Sequence, residues 1–159
     1  MSAAGVTPHD DLQELFRATI LDHSRHPRNR GATLTAPDIE AHGVNTSCGD
    51  RVALRLCVDD AGMVTAIEWE GQGCAISQAS ISMMTRATAG KSLVEVERII
   101  ESFRNFLAGD APLREVHLGE LEALAGVRHF PIRARCALLG WHALETGIAE
   151  YRVRRAAED

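Results

Sequence analysis

The spacing of apolar positions changes along the chain, and each change marks an element. Leu12, Leu15, Phe16, Thr19 and Ile20 recur three and four residues apart, which lines side chains along one face of an α-helix. Asp10 or Asp11 is placed to cap that helix, and it must stop near Ser24 because Pro27 cannot continue it. The stretch His23 to Gly31 (HSRHPRNRG) is basic and turn-rich, and Pro37 with Asp38 marks a second irregular segment, so this part reads as an exposed connector. From Val52 the period becomes two. Val52, Leu54, Leu56 and Val58 alternate, Asp59-Asp60-Ala61-Gly62 supplies a turn, and Met63, Thr65, Ile67 and Trp69 alternate again, the pattern of an antiparallel hairpin. A weaker strand over residues 39–45 precedes it and completes a three-stranded meander.

After Gly71 and Gly73 the helical period returns: Ile76, Ala79, Ser80, Met83, Met84 and Ala87 share a face whose small residues permit close packing. Ser92 and Glu95 form a capping box in front of Leu93, Val96, Ile100, Phe103 and Leu107, a second long helix ending near Gly109. The segment from Asp110 to Val127 carries Pro112, Gly119 and Gly126 around a short helical pattern at Leu118 to Leu124, so it reads as an insertion with one small helix. Phe130-Pro131 leads into a last helix with Cys136 in its first turn and Ala137, Trp141, Leu144, Ile148 and Tyr151 as its buried stripe.

A chain of 159 residues with these elements is one domain, long enough to bury a sizeable core. Hydrophobic residues at 45% and charged residues at 25% are ordinary globular values, which excludes wholesale disorder. Seventeen basic against twenty-two acidic side chains leave a net charge of −5, which repels a phosphate backbone, so nucleic acid is not an expected partner. No apolar run approaches the ~20 residues of a membrane span, and Met1 to Asp10 lacks the basic start and apolar centre of a secretion signal. No membrane partner and a cytoplasmic location are expected.

The chemistry rests with the cysteines. Four of them, separated by 9, 17 and 62 residues, are too sparse for a disulfide framework. Three occupy joints between an extended segment and the next element: Cys48 after the first strand, Cys74 and Cys136 at helix starts. A helix start offers free N–H groups and the positive end of the dipole, which favour the thiolate, the form that binds metals and attacks sulfur. Asp50 lies two residues from Cys48 across Gly49, so both side chains can serve one ion. Three thiolates and a carboxylate suit the four corners of a Zn²⁺ site, and the same donors could hold iron and sulfide of a transient iron–sulfur cluster. Such a site carries excess negative charge, which the neighbouring Arg135 is placed to offset. Cys57 falls mid-strand on the face opposite the apolar stripe and is left out of the site. The histidines show no ligand spacing, and a Cys74 nucleophile paired with His129 or His142 lacks any signature of an oxyanion hole. Met83-Met84 reads as packing, and Arg152, Arg154 and Arg155 as a solvated tail.

Four motifs lie in a telling order: Leu21-Asp22-His23 with His26-Pro27-Arg28-Asn29; Cys48-Gly49-Asp50; Gly71-Gln72-Gly73-Cys74-Ala75-Ile76-Ser77 with Ala79-Ser80 and Ser82-Met83-Met84; and Arg135-Cys136 with Ala137 and Trp141. Together they resemble the U-type iron–sulfur assembly family, the IscU/NifU-like proteins, over about Leu12 to Ala149. The fold the resemblance implies is a compact α+β domain spanning 1–159, with helices on one side of a three-stranded antiparallel sheet and a metal site at an exposed end. Scaffold members have a histidine where this chain has Arg135, and they lack a segment like the one at about 110–126. Both features are similar to the SufU branch. That branch implies a zinc-bound sulfurtransferase with Cys48, Asp50, Cys74 and Cys136 as zinc ligands, fed by a SufS-type pyridoxal-phosphate cysteine desulfurase and feeding a downstream iron–sulfur scaffold. A cluster-assembly scaffold is the alternative. Zinc keeps thiols ionised but mutes them, so one ligand must be freed to attack. Cys48, on its glycine-flanked loop, is the expected acceptor, with Cys136 as the alternative. The basic connector His23 to Arg30 and Arg135 are the cations expected to meet an acidic desulfurase surface.

Overall fold

The computed structural model describes residues 8–110 and 117–158, with side chains from Gln13 onward in the first helix. The chain order is α1 (Pro8–Arg25), β1 (Ile39–Asn45), β2 (Asp50–Val58), β3 (Val64–Gln72), α2 (Ala75–Thr88), α3 (Leu93–Leu107), a run of 3-10 turns over Gly119–His129, and α4 (Pro131–Glu158). The three strands form one antiparallel sheet in the order β1-β2-β3. Its inner face carries Ile39, Ala41, Val52, Leu54, Leu56, Val64, Ile67 and Trp69, all buried, against which α2 and α4 pack. Cys57 points the other way, as the alternation requires.

Several elements depart from the sequence pattern for identifiable reasons. The helix α1 starts at Pro8, so Asp10 and Asp11 fall inside its first turn rather than capping it. Leu15 is 60% exposed and Ile20 only half-buried, because α1 packs mainly on α2 and leaves part of its stripe open. In β3 the register slips at Cys57/Val58, so Val64 faces inward before the alternation resumes at Ile67, and Met63 lies outside the strand. Proline at the first position opens α4 at Pro131, which places Cys136 in the second turn rather than the first. The segment expected as an insertion lies partly outside the described residues, and its helical part is a 3-10 run burying Leu121, Ala123, Leu124 and Val127.

The connector is not a free loop. Trp69 of the β3 edge accepts from the Gly31 N–H and donates to the Asn29 carbonyl, while its indole N–H donates to the Arg28 carbonyl at 2.9 Å. Glu68 accepts from the Thr33 N–H and hydroxyl and from the Leu34 N–H, which closes the other side of the loop. Arg28 donates to Asp22 at 2.6 Å, and Arg30 lies over the Trp69 ring while donating to the Gly71 carbonyl. These cations are therefore engaged in holding the connector onto the sheet edge. His23 is fully buried between Ser82 of α2 and Glu120 of the 3-10 run, at 2.7 and 2.8 Å.

Candidate metal centre

Strand register and the placement of α4 bring the site together. Asn45 pairs with Asp50 and Arg51 with Gln72, so the end of β1, the start of β2 and the end of β3 meet at one end of the sheet. The β1–β2 loop over residues 46–49 therefore sits beside Gly73-Cys74, where the chain turns into α2. Helix α4 lies across β1 and against α2, which carries Cys136 to the same place. Its position is fixed one residue on: the Ser80 hydroxyl donates to the Ala137 carbonyl at 2.6 Å and accepts from the Trp141 indole at 3.0 Å.

Cys48 Sγ, an Asp50 carboxylate oxygen and Cys136 Sγ all lie within 4.8 Å of one another, with the two sulfurs 3.3 Å apart. Cys74 joins through Asp50: its thiol lies 3.7 Å from Asp50 Oδ2, and its backbone N–H donates to Asp50 Oδ1 at 3.1 Å. It lies outside the mutually close trio. As the N-cap of α2, Cys74 also accepts from the Ser77 N–H at 3.4 Å, the helix-start environment expected from sequence. Asp50 and Cys136 are buried, whereas Cys48 and Cys74 are exposed, so the cluster has a covered floor and an open rim.

Two glycines make this geometry possible. Gly49 has φ +76°, a conformation that a side chain resists, and it turns the chain between Cys48 and Asp50. At Gly73 a Cβ would lie only 2.7 Å from Asp50 Oδ1, so any side chain there would displace the buried carboxylate.

The electrostatics call for a cation. Burial pushes the Cys136 thiol well above its usual range, and the neighbouring Cys48, Asp50 and Cys74 push it further the same way. A divalent ion beside Cys136 reverses that balance, and three sulfurs with one carboxylate oxygen match the donor preferences of Zn²⁺. Arg135 is exposed beside Cys136 and makes no hydrogen bond or ion pair among the described residues; it lines a groove of about 340 Å³ with Val44, Asn45, Leu138 and His142. Cys57 takes no part in the cluster.

The profile of the NifU-like N-terminal domain matches residues 15–137. The chain belongs to the NifU-like N-terminal domain family. Among its relatives, the zinc-dependent sulfurtransferase SufU of Bacillus subtilis (strain 168) is 39% identical over 140 residues, covering 88% of this chain and 93% of that protein. The iron–sulfur cluster assembly scaffold protein IscU of Streptococcus pyogenes serotype M1 is 36% identical, over 86% of this chain and 84% of that one. The crystal structure of FiSufU, a putative iron–sulfur cluster assembly scaffold protein for the SUF system from the thermophile Fervidobacterium islandicum AW-1, superposes with a TM-score of 0.76 at 32% identity, covering 81% of this chain and 93% of that chain. The α+β fold and the SufU/IscU kinship inferred from the motifs hold.

Sequence reasoning missed one residue of the site. Asn45, at the end of β1, accepts from the Ser47 N–H through its side chain at 3.1 Å and from the Gly49 N–H through its carbonyl at 2.8 Å, and its amide nitrogen lies 4.0 Å from Cys136 Sγ. An asparagine three residues before a cysteine, at a strand-to-loop boundary, is the available signal.

Proposed function

We propose that this NifU-like domain is a zinc-dependent sulfur acceptor in cytoplasmic iron–sulfur cluster biogenesis. It takes sulfur from the persulfide of a SufS-type pyridoxal-phosphate cysteine desulfurase and hands it to a downstream scaffold. The observation that carries this reading is the graded exposure of the donors: Cys48 stands exposed on a glycine-turned loop, 3.3 Å from a buried Cys136. Cys48, Asp50, Cys74 and Cys136 are the residues that would hold zinc, which when bound keeps thiols ionised and mutes their reactivity. Cys48 can leave this set toward an incoming partner, whereas Cys136, 3% exposed, is shielded. The freed Cys48 thiolate attacks the outer sulfur of the donor persulfide. The donor's S–S bond breaks, its inner sulfur departs as a thiolate and takes up a proton, and the new S–S bond leaves Cys48 as the persulfide, with no net change in oxidation level. Arg135 offers a positive charge beside the site, both to a negatively charged donor set and to an acidic partner surface.

The identity to the Bacillus subtilis sulfurtransferase supports this reading. The same donor chemistry and the identity to the streptococcal scaffold protein favour a second, in which the four residues hold a cluster under assembly. Incubation with desulfurase and cysteine, followed by intact mass and peptide mapping, separates them. The expected result is a one-sulfur gain on the Cys48 peptide of a colourless, zinc-containing protein. Sulfur on Cys136 reassigns the acceptor; brown protein with iron and sulfide and no persulfide overturns sulfur transfer in favour of the scaffold.

A further inference from the structure

The four donors differ in what else holds them. Asp50 Oδ1 accepts from the Cys74 N–H, Cys74 Sγ from the Ser77 N–H, and Cys136 Sγ faces the Asn45 amide nitrogen at 4.0 Å. Among the described residues, Cys48 Sγ has only the Cys136 sulfur as a hydrogen-bonding partner. Nitrogen–hydrogen donors aimed at a ligand stabilise its charged form and fix its direction, and they commonly decide how firmly a ligand stays. Three donors are thus anchored by an amide and one is not, and the unanchored one is the exposed thiol.

We infer that Asn45 is a positioning residue that retains Cys136 in the donor set and hinges the loop from which Cys48 departs. Both duties fall to one residue. Its Oδ1 fixes the first half of the loop through Ser47, while its backbone carbonyl fixes the second half through Gly49. Its Nδ2 reaches the buried sulfur of α4. Asn45 is also the β1 residue paired with Asp50, so it is joined by the sheet to the most buried donor. Movement of Cys48 then pivots on a residue tied to the two donors that must not move. The inference rests on the zinc-site reading above and deepens it.

The test uses full-length, zinc-loaded protein and limiting iodoacetamide, with labelled cysteines assigned by peptide mapping and zinc retention measured against a competing chelator. Asn45→Asp keeps the acceptor for Ser47 but removes the amide donor; Asn45→Ala removes both. Among the three cysteines of the site in the unaltered protein, Cys48 is expected to label first and Cys136 last. Both variants should bring Cys136 labelling to within a few-fold of Cys48 and lose zinc roughly tenfold faster, as deletions of such supporting partners do. Melting of the zinc-free Asn45→Asp protein should match the parent, which distinguishes lost positioning from lost folding. If Asn45→Asp protects Cys136 as the parent does, Asn45 serves only the turn and the inference falls. If the unaltered protein does not retain zinc, or labels Cys48 no faster than Cys136, the zinc-site reading itself has failed. A destabilised Asn45→Asp apoprotein overturns the assignment in favour of a folding role.

Discussion

Gly73 has no side chain because Asp50 occupies the space one would need, with Oδ1 2.7 Å from where a Cβ would lie. The same oxygen accepts from the Cys74 N–H, so the carboxylate can retreat only by straining that bond. Gly73→Ala is therefore expected to cost about 1–3 kcal/mol, the usual range for overpacking a tight site, and to lower the zinc-to-protein ratio after dialysis. Cys57→Ser, on the opposite strand face, should retain full zinc, and loss of metal there would undo the assignment of donors. These positions also mark the reach of sequence reasoning. Cys57 could be set aside from alternation alone, and the nearness of Cys48 to Asp50 follows from where β1 ends and β2 begins, while Cys136 arrives on α4. Asn45 and His23 could not be found that way, since a single polar residue carries no period. The contact of His23 with Ser82 spans 59 residues and that of Asn45 with Cys136 spans 91, so only the folded chain defines them.

Local signals carried the elements well where the deciding interaction is local. The Ser92–Glu95 capping box forms as its spacing requires, with both reciprocal bonds present. The meander follows from alternation and one turn. The bulge between β2 and β3 and the docking of the connector depend on partners elsewhere, and alternation is blind to both. Glu68 shows the consequence. Burial works to raise its pKa, but the hydrogen bonds from Leu34 and Thr33 outweigh it and hold the carboxyl below its ordinary range. Asp22 is lowered as well, chiefly by its hydrogen bond from Arg28. A carboxyl lowered on folding stabilises the fold fully above its unfolded value and loses that contribution as pH falls through the folded one. The connector latch is thus expected to weaken below about pH 4. Amide exchange at Gly31, Thr33 and Leu34 should accelerate there before the core strands respond, and Glu68→Gln should show the faster exchange already at neutral pH. Equal protection of these amides in parent and variant would mean that the latch does not depend on the carboxylate.

At the scale of the molecule, the donor set joins four separate parts of the chain at one end of the sheet. Cys48 sits on the β1–β2 loop, Asp50 on β2, Cys74 at the start of α2 and Cys136 in α4. Away from the site the packing is closed by side chains alone: α3 lies against α4 through the stacked rings of Phe103 and Trp141 at 4.6 Å, and Arg152 of α4 pairs with Glu97 at 2.6 Å. Without a cation, three thiols and a carboxyl crowd a partly buried space, and the shift at Cys136 records how unfavourable the ionisation of that thiol then is. An ion that binds the folded chain and not the unfolded one stabilises it by about 4 kcal/mol at a thousandfold excess over its dissociation constant. For a domain of this size that is on the order of 10 °C in Tm. Chelation under reducing conditions should lower Tm by about that amount, and zinc should restore it. The loss should begin at the site: exchange should speed up in the β1–β2 loop and the first turn of α2 while the helices around Phe103 and Trp141 stay protected. Cys74→Ser should remove most of the zinc-dependent gain, since it cuts the one donor of the four that belongs to α2, whereas Cys57→Ser should keep it. An unchanged Tm on chelation of demonstrably zinc-loaded protein would mean that the metal does not brace the fold and that its role at these four residues is confined to the chemistry of sulfur.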